Sequence, residues 1–290
     1  MTSSSVLVGT DLSDVSFSAI RQGAAWAERH GASLVIAHIH TGISLTKPDT
    51  ARWTAAVEQV VASLTTYPSE IVIGTGSAHA ELLELASARG VQLLAVGASG
   101  GGSLKHALFG STAASVARYA DCPVLVARPS PEAGPVLVGT DFSDSVTPAL
   151  VLGRTEADLR GAELVLVHSM FEPSSPLDLL GPIVASAPVP PSETVAQRRD
   201  AATTTLDTLL ALHGGRGRAL VVDDDPAVAL PEEAGKLEAS LIVVGTHGRT
   251  GLSRVAMGSV AEAITQRAPC SVLVARASRE HSSGSATINR

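Results

Sequence analysis

One stretch of this chain is written twice. Val6-Leu-Val-Gly-Thr-Asp-Leu-Ser-Asp14 returns 130 residues later as Val136-Leu-Val-Gly-Thr-Asp-Phe-Ser-Asp144. The next apolar run keeps the same offset, with Gly31-Ala-Ser-Leu-Val-Ile-Ala-His38 set against Gly161-Ala-Glu-Leu-Val-Leu-Val-His168. Further on, Gly97 pairs with Gly245, Gly110 with Gly258 and Cys122 with Cys270, at an offset of 148. The second half therefore carries 18 extra residues between its second apolar run and its glycine-rich stretch. A repeat of this length requires one domain-sized unit used twice, so any acceptable fold must be assembled from two copies.

The expected division is a first domain over 1–129, a linker over 130–134 and a second domain over 135–277. A polar tail over 278–290 is expected to be disordered. The linker region, Arg128-Pro-Ser-Pro-Glu-Ala-Gly-Pro135, has the prolines and glycine that stop one sheet before the next begins. The extra residues are expected in the Pro- and Ser-rich connection from Phe171 to Ser192.

Each half alternates short Val/Ile/Leu runs with helical patterns. Strands are predicted near Ser5–Thr10, Ser33–His40, Ser69–Thr75, Leu93–Gly97 and Val124–Ala127. In the second half they fall near Val136–Thr140, Glu163–Ser169, Arg218–Val222, Leu241–Gly245 and Val272–Ala275. Helices are predicted over Ser13–His30, Thr50–Thr65, His79–Ala88 and Ser111–Tyr119. Such alternation predicts right-handed βαβ units and a parallel sheet covered by helices on both faces. Aromatic residues make up only 3% of the chain against 45% hydrophobic, so the core must be built from Ala, Val and Leu.

Charge and cysteine usage narrow the class. A net charge of −7 argues against nucleic acid or an anionic membrane surface as a general partner, since both require clustered Lys and Arg. No stretch approaches the roughly 18 apolar residues of a membrane span, and a cytoplasmic protein is expected. Cys122 and Cys270 occupy matching places before an apolar run, where two thiols are expected as small buried hydrophobes rather than a disulfide.

The chemistry is expected at the glycines. Two residues separate Gly97 from Gly100, nine separate Gly100 from Gly110, and Ser111 follows; Gly245, Gly248, Gly258 and Ser259 repeat that spacing. Each set lies between a buried strand and a helix start. There backbone N–H groups and the helix dipole face an anion, and glycine lets the chain approach a polyphosphate closely. A purely structural role, letting a long loop fold back on the sheet, is the alternative. The pattern is no Walker A loop, because no Gly-Lys-Ser/Thr follows, and the strand feeding it is the fourth of its half, unlike a dinucleotide fingerprint. Arg249 and Arg254 offer positive charge in the second loop; in the first, Gly101 stands for Arg249 and Lys105 is the nearest cation.

Taken together, Val-Gly-Thr-Asp-Phe-Ser-Asp, Val-Val-Gly-Thr-His-Gly-Arg-Thr-Gly-Leu, Gly-Ser-Val-Ala-Glu and Ala-Pro-Cys-Ser-Val-Leu-Val resemble the universal stress protein family. The likeness covers both halves over nearly their whole length, and both keep the Gly-x₂-Gly-x₉-Gly-Ser/Thr spacing of the ATP-binding branch. The resemblance implies an α/β fold of two tandem open five-stranded parallel sheets, Rossmann-like, ordered 3-2-1-4-5 with helices on both faces. It places the nucleotide across the carboxyl ends of the first and fourth strands, which agrees with the switch-point rule. It also implies pairing through the last strands, which the two halves can make internally as a pseudo-dimer, with room for a further homodimer.

Carried over by position, the resemblance sets Gly9, Thr10 and Asp11, and Gly139, Thr140 and Asp141, at the adenine and ribose end. Ile39 and Ser169 would offer backbone groups to the adenine edge. Gly97, Ala98, Ser99, Gly100, Gly110, Ser111 and Thr112 would hold the phosphates in the first half. Gly245, Thr246, His247, Gly248, Arg249, Gly258, Ser259 and Val260 would do so in the second. Asp11 and Asp141 could equally cap the helix that follows. The implied ligand is ATP, or AMP or ADP, with Mg²⁺ as an optional companion, and the second loop, richer in charge, is expected to bind more tightly.

No residue set suggests a catalytic triad or a resident metal. His38 and His168 recur at one strand position without a ligand partner at metal spacing, and are expected as satisfied strand histidines. Asp223-Asp-Asp-Pro226 is expected to cap a helix rather than hold a cation. The leading expectation is a nucleotide-binding stress-response module. A slow ATPase using Asp11 or Asp141 with Mg²⁺, and an interaction protein that binds no nucleotide, are the alternatives.

Overall fold

The computed structural model describes residues 4–41, 50–99, 109–131, 133–143, 147–171, 194–214, 216–246 and 257–276. The first half runs β1 (Ser5–Thr10), α1 (Asp14–His30), β2 (Ser33–His40), α2 (Thr50–Leu64), β3 (Ser69–Thr75), α3 (Ala78–Arg89), β4 (Leu93–Gly97), α4 (Ser111–Tyr119) and β5 (Val124–Ala127). The second runs β6 (Val136–Gly139), α5 (Thr147–Arg160), β7 (Leu164–Ser169), α6 (Val195–Leu212), β8 (Arg218–Val222), α7 (Pro226–Lys236), β9 (Leu241–Gly245), α8 (Ser259–Arg267) and β10 (Ser271–Ala275). Most of the 171–192 connection and the tail lie outside the described residues.

Every residue of β1, β5 and β10 is buried, as are the first four of β4 and β9. Unbroken Val/Leu/Ile runs suit strands covered on both faces. Helix α1 starts one residue later than its pattern predicts, because Ser13 is its N-cap and accepts from the Ser16 N–H. It ends at Gly31, whose φ of +62° is a conformation only glycine adopts cheaply.

The strand order is β3-β2-β1-β4-β5-β10-β9-β6-β7-β8. Each half keeps the order 3-2-1-4-5, and the two five-stranded sheets join through their last strands into one ten-stranded sheet. All neighbours are parallel except β5 and β10, which run antiparallel with Val124 opposite Val274, Leu125 opposite Leu273 and Val126 opposite Val272. The physical reason is edge burial: two last strands with four apolar residues each are poor free edges. One core layer lies on each sheet face, and each draws on both halves: Leu7 and Leu94 share a layer with Leu137 and Ile242, while Val8 and Leu125 share the other with Val138 and Leu273.

Polar contacts across the seam obey the repeat. The Arg128 Nη2 donates to the Thr265 carbonyl of α8 at 2.6 Å, and the Arg276 Nη2 donates to the Ala117 carbonyl of α4 at 2.6 Å. Both the donors and the acceptors are 148 residues apart. Each guanidinium thus satisfies carbonyls at the C-terminal end of a helix in the other half, where positive charge is favoured. A second link is buried: the Glu156 carboxylate of α5, fully enclosed, receives Arg160 at 3.0 Å and Arg29 of α1 at 3.3 Å, with the His30 Nε2 at 3.5 Å. Among the described residues, no helix is long and apolar enough to cross a membrane.

Both cysteines are free thiols. Burial pushes each thiol up to about 11, partly opposed by Arg276 beside Cys122 and Arg128 beside Cys270. A raised folded value stabilises the protein below the unfolded value, and that contribution is lost as pH climbs through the folded one. Stability is therefore expected to fall between pH 9 and 11 by on the order of 1–2 kcal/mol per thiol. Urea titrations at pH 8.5 and 10.5 check this: a Cys122→Ala/Cys270→Ala double variant should lose most of the difference.

Candidate functional site

The turn after β1 is built by three polar side chains, Thr10, Asp11 and Ser13. Thr10 Oγ1 accepts from the Leu12 N–H at 3.1 Å, and Asp11 Oδ1 accepts from the Ser13 N–H at 3.0 Å and the Ser13 hydroxyl. The second half repeats the arrangement, with Thr140 Oγ1 accepting from Phe142 at 3.0 Å and Asp141 Oδ1 from Ser143 at 3.0 Å. In both turns a bulky residue, Leu12 or Phe142, is held at φ +62°. Such a conformation is costly for a side chain of that size and persists only where its surroundings over-determine it. Ser13, rather than Asp11, is the helix cap; Asp11 orients that serine while standing at the mouth of the cleft.

The strand histidines have matching roles. His38 Nδ1 lies 3.0 Å from the Thr10 carbonyl and His168 Nδ1 lies 2.8 Å from the Thr140 carbonyl. A carbonyl can only accept, so Nδ1 carries the proton in each ring and Nε2 is left as an acceptor. Each ring is anchored through Nδ1, tying β2 to β1 and β7 to β6, but the expected satisfaction is incomplete at His38, whose Nε2 has no hydrogen-bond partner among the described residues. The two halves cover these rings differently. Phe142 stacks on His168 with centroids 4.0 Å apart, whereas Trp53 of α2 stacks on His38 at 4.8 Å and also meets His40 at 5.4 Å.

Beyond β4 the chain closes on itself. The Ala98 N–H donates to the Ala127 carbonyl at 3.0 Å, and the Gly110 N–H returns to the Ala98 carbonyl at 2.8 Å. In the second half the Gly258 N–H reaches the Thr246 carbonyl at 2.7 Å. Each loop is thereby pinned at its two ends, and each delivers the chain to a nine-residue helix. Gly110 and Gly258 are the N-caps and supply no side-chain acceptor, and the first turn of α4 has no acidic residue. Among the described residues the first N–H groups of α4 therefore have no capping side chain, an arrangement that favours an anion.

These pieces surround a cleft of about 410 Å³ at the carboxyl ends of β1, β2 and β4. Of the residues expected in the first half, Gly9, Thr10, Asp11, Ile39, Gly97, Ser99, Gly110, Ser111 and Thr112 line it. Ala98 does not; it is buried beneath, where its backbone pins the loop. Gly9 has a packing reason as well, since a Cβ there would meet Leu82 Cδ1 at 2.7 Å; Gly139 stands in the same relation to Leu230. At Gly97 a side chain would press on the backbone of Val15 and Ser16, so β4 and the start of α1 could not approach as they do.

In the second half Gly139, Thr140 and Asp141 stand at the end of β6, and Gly245 and Thr246 at the end of β9. Gly258 caps α8, and Ser259 and Val260 form its exposed first turn. The Ser169 hydroxyl donates to the Asp224 carbonyl at 2.6 Å, tying β7 to the start of α7. Gly100, Lys105, His247, Gly248, Arg249 and Arg254 lie outside the described residues. The run Asp223 to Asp225 divides its work: Asp225 caps α7 through the Ala227 N–H, and Asp223 pairs with Arg199 at 2.6 Å. No group of three or more His, Cys, Asp or Glu among the described residues could hold a metal ion.

Sequence reasoning did not find Leu12, Ser16, His40, Ala78, Leu82 or Trp53, all of which line the cleft. Leu82 could have been found, because Leu230 is its mate at the 148-residue offset. Trp53 has no such signal, since α6 contains no aromatic residue.

Comparison with known proteins adds to this geometry. The model of the universal stress protein family matches residues 3–128 and again 133–276. A universal stress protein of Mycobacterium tuberculosis is 33% identical over 200 residues, 64% of this chain and 62% of that protein, so the match spans just under two thirds of its length. One of Mycolicibacterium smegmatis is 29% identical over 294 residues, 93% of this chain and 96% of that one. Among solved structures, a universal stress protein of Archaeoglobus fulgidus covers 95% of this chain and 99% of its own, with a TM-score of 0.67 at 19% identity. That last likeness is one of fold.

Proposed function

This chain belongs to the universal stress protein family, and from that premise we propose that it binds ATP or another adenine nucleotide in each half and acts as a nucleotide-dependent stress-response module. The observation that carries the reading is the first cleft, which joins a carboxylate and backbone at the end of β1 to an uncapped helix N-terminus after β4. Its volume falls in the range of small-molecule sites. Within it, Gly9, Thr10, Asp11 and Ile39 hold the base and ribose, and Ser99, Gly110, Ser111 and Thr112 hold the phosphates. A magnesium ion would arrive with the phosphates, because the described residues offer no ready cluster of ligands. The corresponding ends of β6 and β9, with the loop to α8, form the second site.

Residues 1–129 and 135–277 are the two nucleotide-binding domains in this reading, and the antiparallel seam between β5 and β10 makes one chain equivalent to a dimer. A thermal-melting series with ATP tests the proposal. A ligand held at 100 times its dissociation constant adds about 2.7 kcal/mol of stability, so the midpoint should climb with ATP concentration. No change up to millimolar ATP would leave the ligand-free interaction protein as the better account.

A further inference from the structure

Trp53 is set apart on three counts. It is one of two tryptophans in a chain with few aromatics, it has no counterpart in the second half, and it lines the cleft. It stands on α2, half-buried, where its ring stacks on His38 and lies against His40. Ile39, between those histidines, lines the same wall, while Ser111 and Thr112 lie at the end of the cleft nearest α4. The cleft therefore has a phosphate-like end and an aromatic end. The aromatic end also holds an unmet polar group: His38 is 6% exposed, and its Nε2 has no hydrogen-bond partner among the described residues. With Nδ1 committed to the Thr10 carbonyl, that Nε2 is an acceptor waiting for a donor. A buried acceptor without a partner is costly.

We infer that Trp53 is the base-recognising residue of the first site, forming the surface on which a planar ligand ring stacks, with His38 backing the indole from the other side. The inference rests on the proposed nucleotide reading and deepens it, because it assigns a base-stacking tryptophan to the first half only. At the corresponding place the second half has Phe142, from the turn after β6, lying on His168. The two sites thus differ at the base end as well as in their loops. A phosphate-bearing ligand without a ring would gain nothing from Trp53, whereas a purine nucleotide gains the stacking that aromatic side chains give to bases.

The fluorescence of the chain supplies the test. Trp26, 5% exposed and stacked on His30 with centroids 3.6 Å apart, belongs to the core and serves as the unresponsive background. ATP added to the full chain should quench tryptophan emission. The quench should survive Trp26→Phe and vanish in Trp53→Phe. Calorimetry should show Trp53→Ala weakening the first-site affinity for ATP about 5- to 100-fold, with Trp53→Phe restoring most of it. Binding of inorganic triphosphate, which has no ring, should be the same in all three proteins. Two ATP sites by calorimetry with no change in Trp53→Ala would overturn the inference and leave the nucleotide reading standing. A loss of triphosphate binding equal to that of ATP would also overturn it, since Trp53 would then be shaping the fold rather than reading a base. No ATP heat in the unaltered chain would overturn both.

Discussion

Glu156→Ala is expected to destabilise the protein by about 3–5 kcal/mol, the largest single loss outside the apolar core. The carboxylate is fully enclosed and faces three basic groups, Arg29, Arg160 and His30. Removing it leaves two guanidiniums, 23% and 14% exposed, as like charges pressed together with only the weaker pull of Glu28 on Arg29 to oppose them. Burial already lowers the Arg29 value from its usual range, and Arg160 lowers it further; Glu156 is the main group opposing them. Because Arg29 belongs to α1 and Glu156 to α5, the loss falls on the contact between the halves. Chemical denaturation should show a clear fall in midpoint with an unchanged slope. Replacing Glu156, Arg29 and Arg160 together by apolar residues of similar size should recover much of it, because the desolvation cost disappears along with the pair.

Leu125→Ala should cost about 2–5 kcal/mol by emptying part of the seam. Leu125 is 2% exposed and stands directly opposite Leu273, which is 1% exposed, in the antiparallel register of β5 and β10. Both belong to a core layer made from the two halves, so the cavity cannot be filled by movement of one half alone. Leu273→Ala should cost a similar amount. The double variant should fall short of the sum by roughly 0.5–1 kcal/mol, since each single change already weakens the shared contact. Leu212, 73% exposed, supplies the control, where truncation should move stability by less than about 0.5 kcal/mol. Strict additivity of Leu125 and Leu273 would mean that the two halves do not pack in solution as described.

The strands were legible because burial on both faces demands unbroken apolar runs, and Leu93–Gly97 and Arg218–Val222 are read with the bounds they adopt. The boundary of α1 moved by one residue because capping, not periodicity, decides where a helix begins. The glycine-rich ends of the cleft were legible through spacing repeated in two halves. What was not legible lies in contacts between distant segments. Glu156 and Arg29 are 127 residues apart and read individually as ordinary surface charges. The joining of the two sheets is a property of strand edges, which the pattern within a half does not encode; only the family resemblance implied it. Arg128 and Arg276 did carry a signal, as mates at the same offset as the glycines, and the structure explains it by their reciprocal hold on α8 and α4. Trp53 carried none, because a residue without a repeat mate looks like any amphipathic-helix aromatic until α2 is seen to lean over β2.

The most direct test of nucleotide binding by two unequal sites is equilibrium dialysis of the full chain against radiolabelled ATP, with unlabelled GTP and inorganic triphosphate as competitors. Two molecules of ATP bound per chain with separable dissociation constants, displaced poorly by the ring-less competitor, is the result expected. No retention of ATP, or retention displaced equally well by triphosphate alone, would contradict the account.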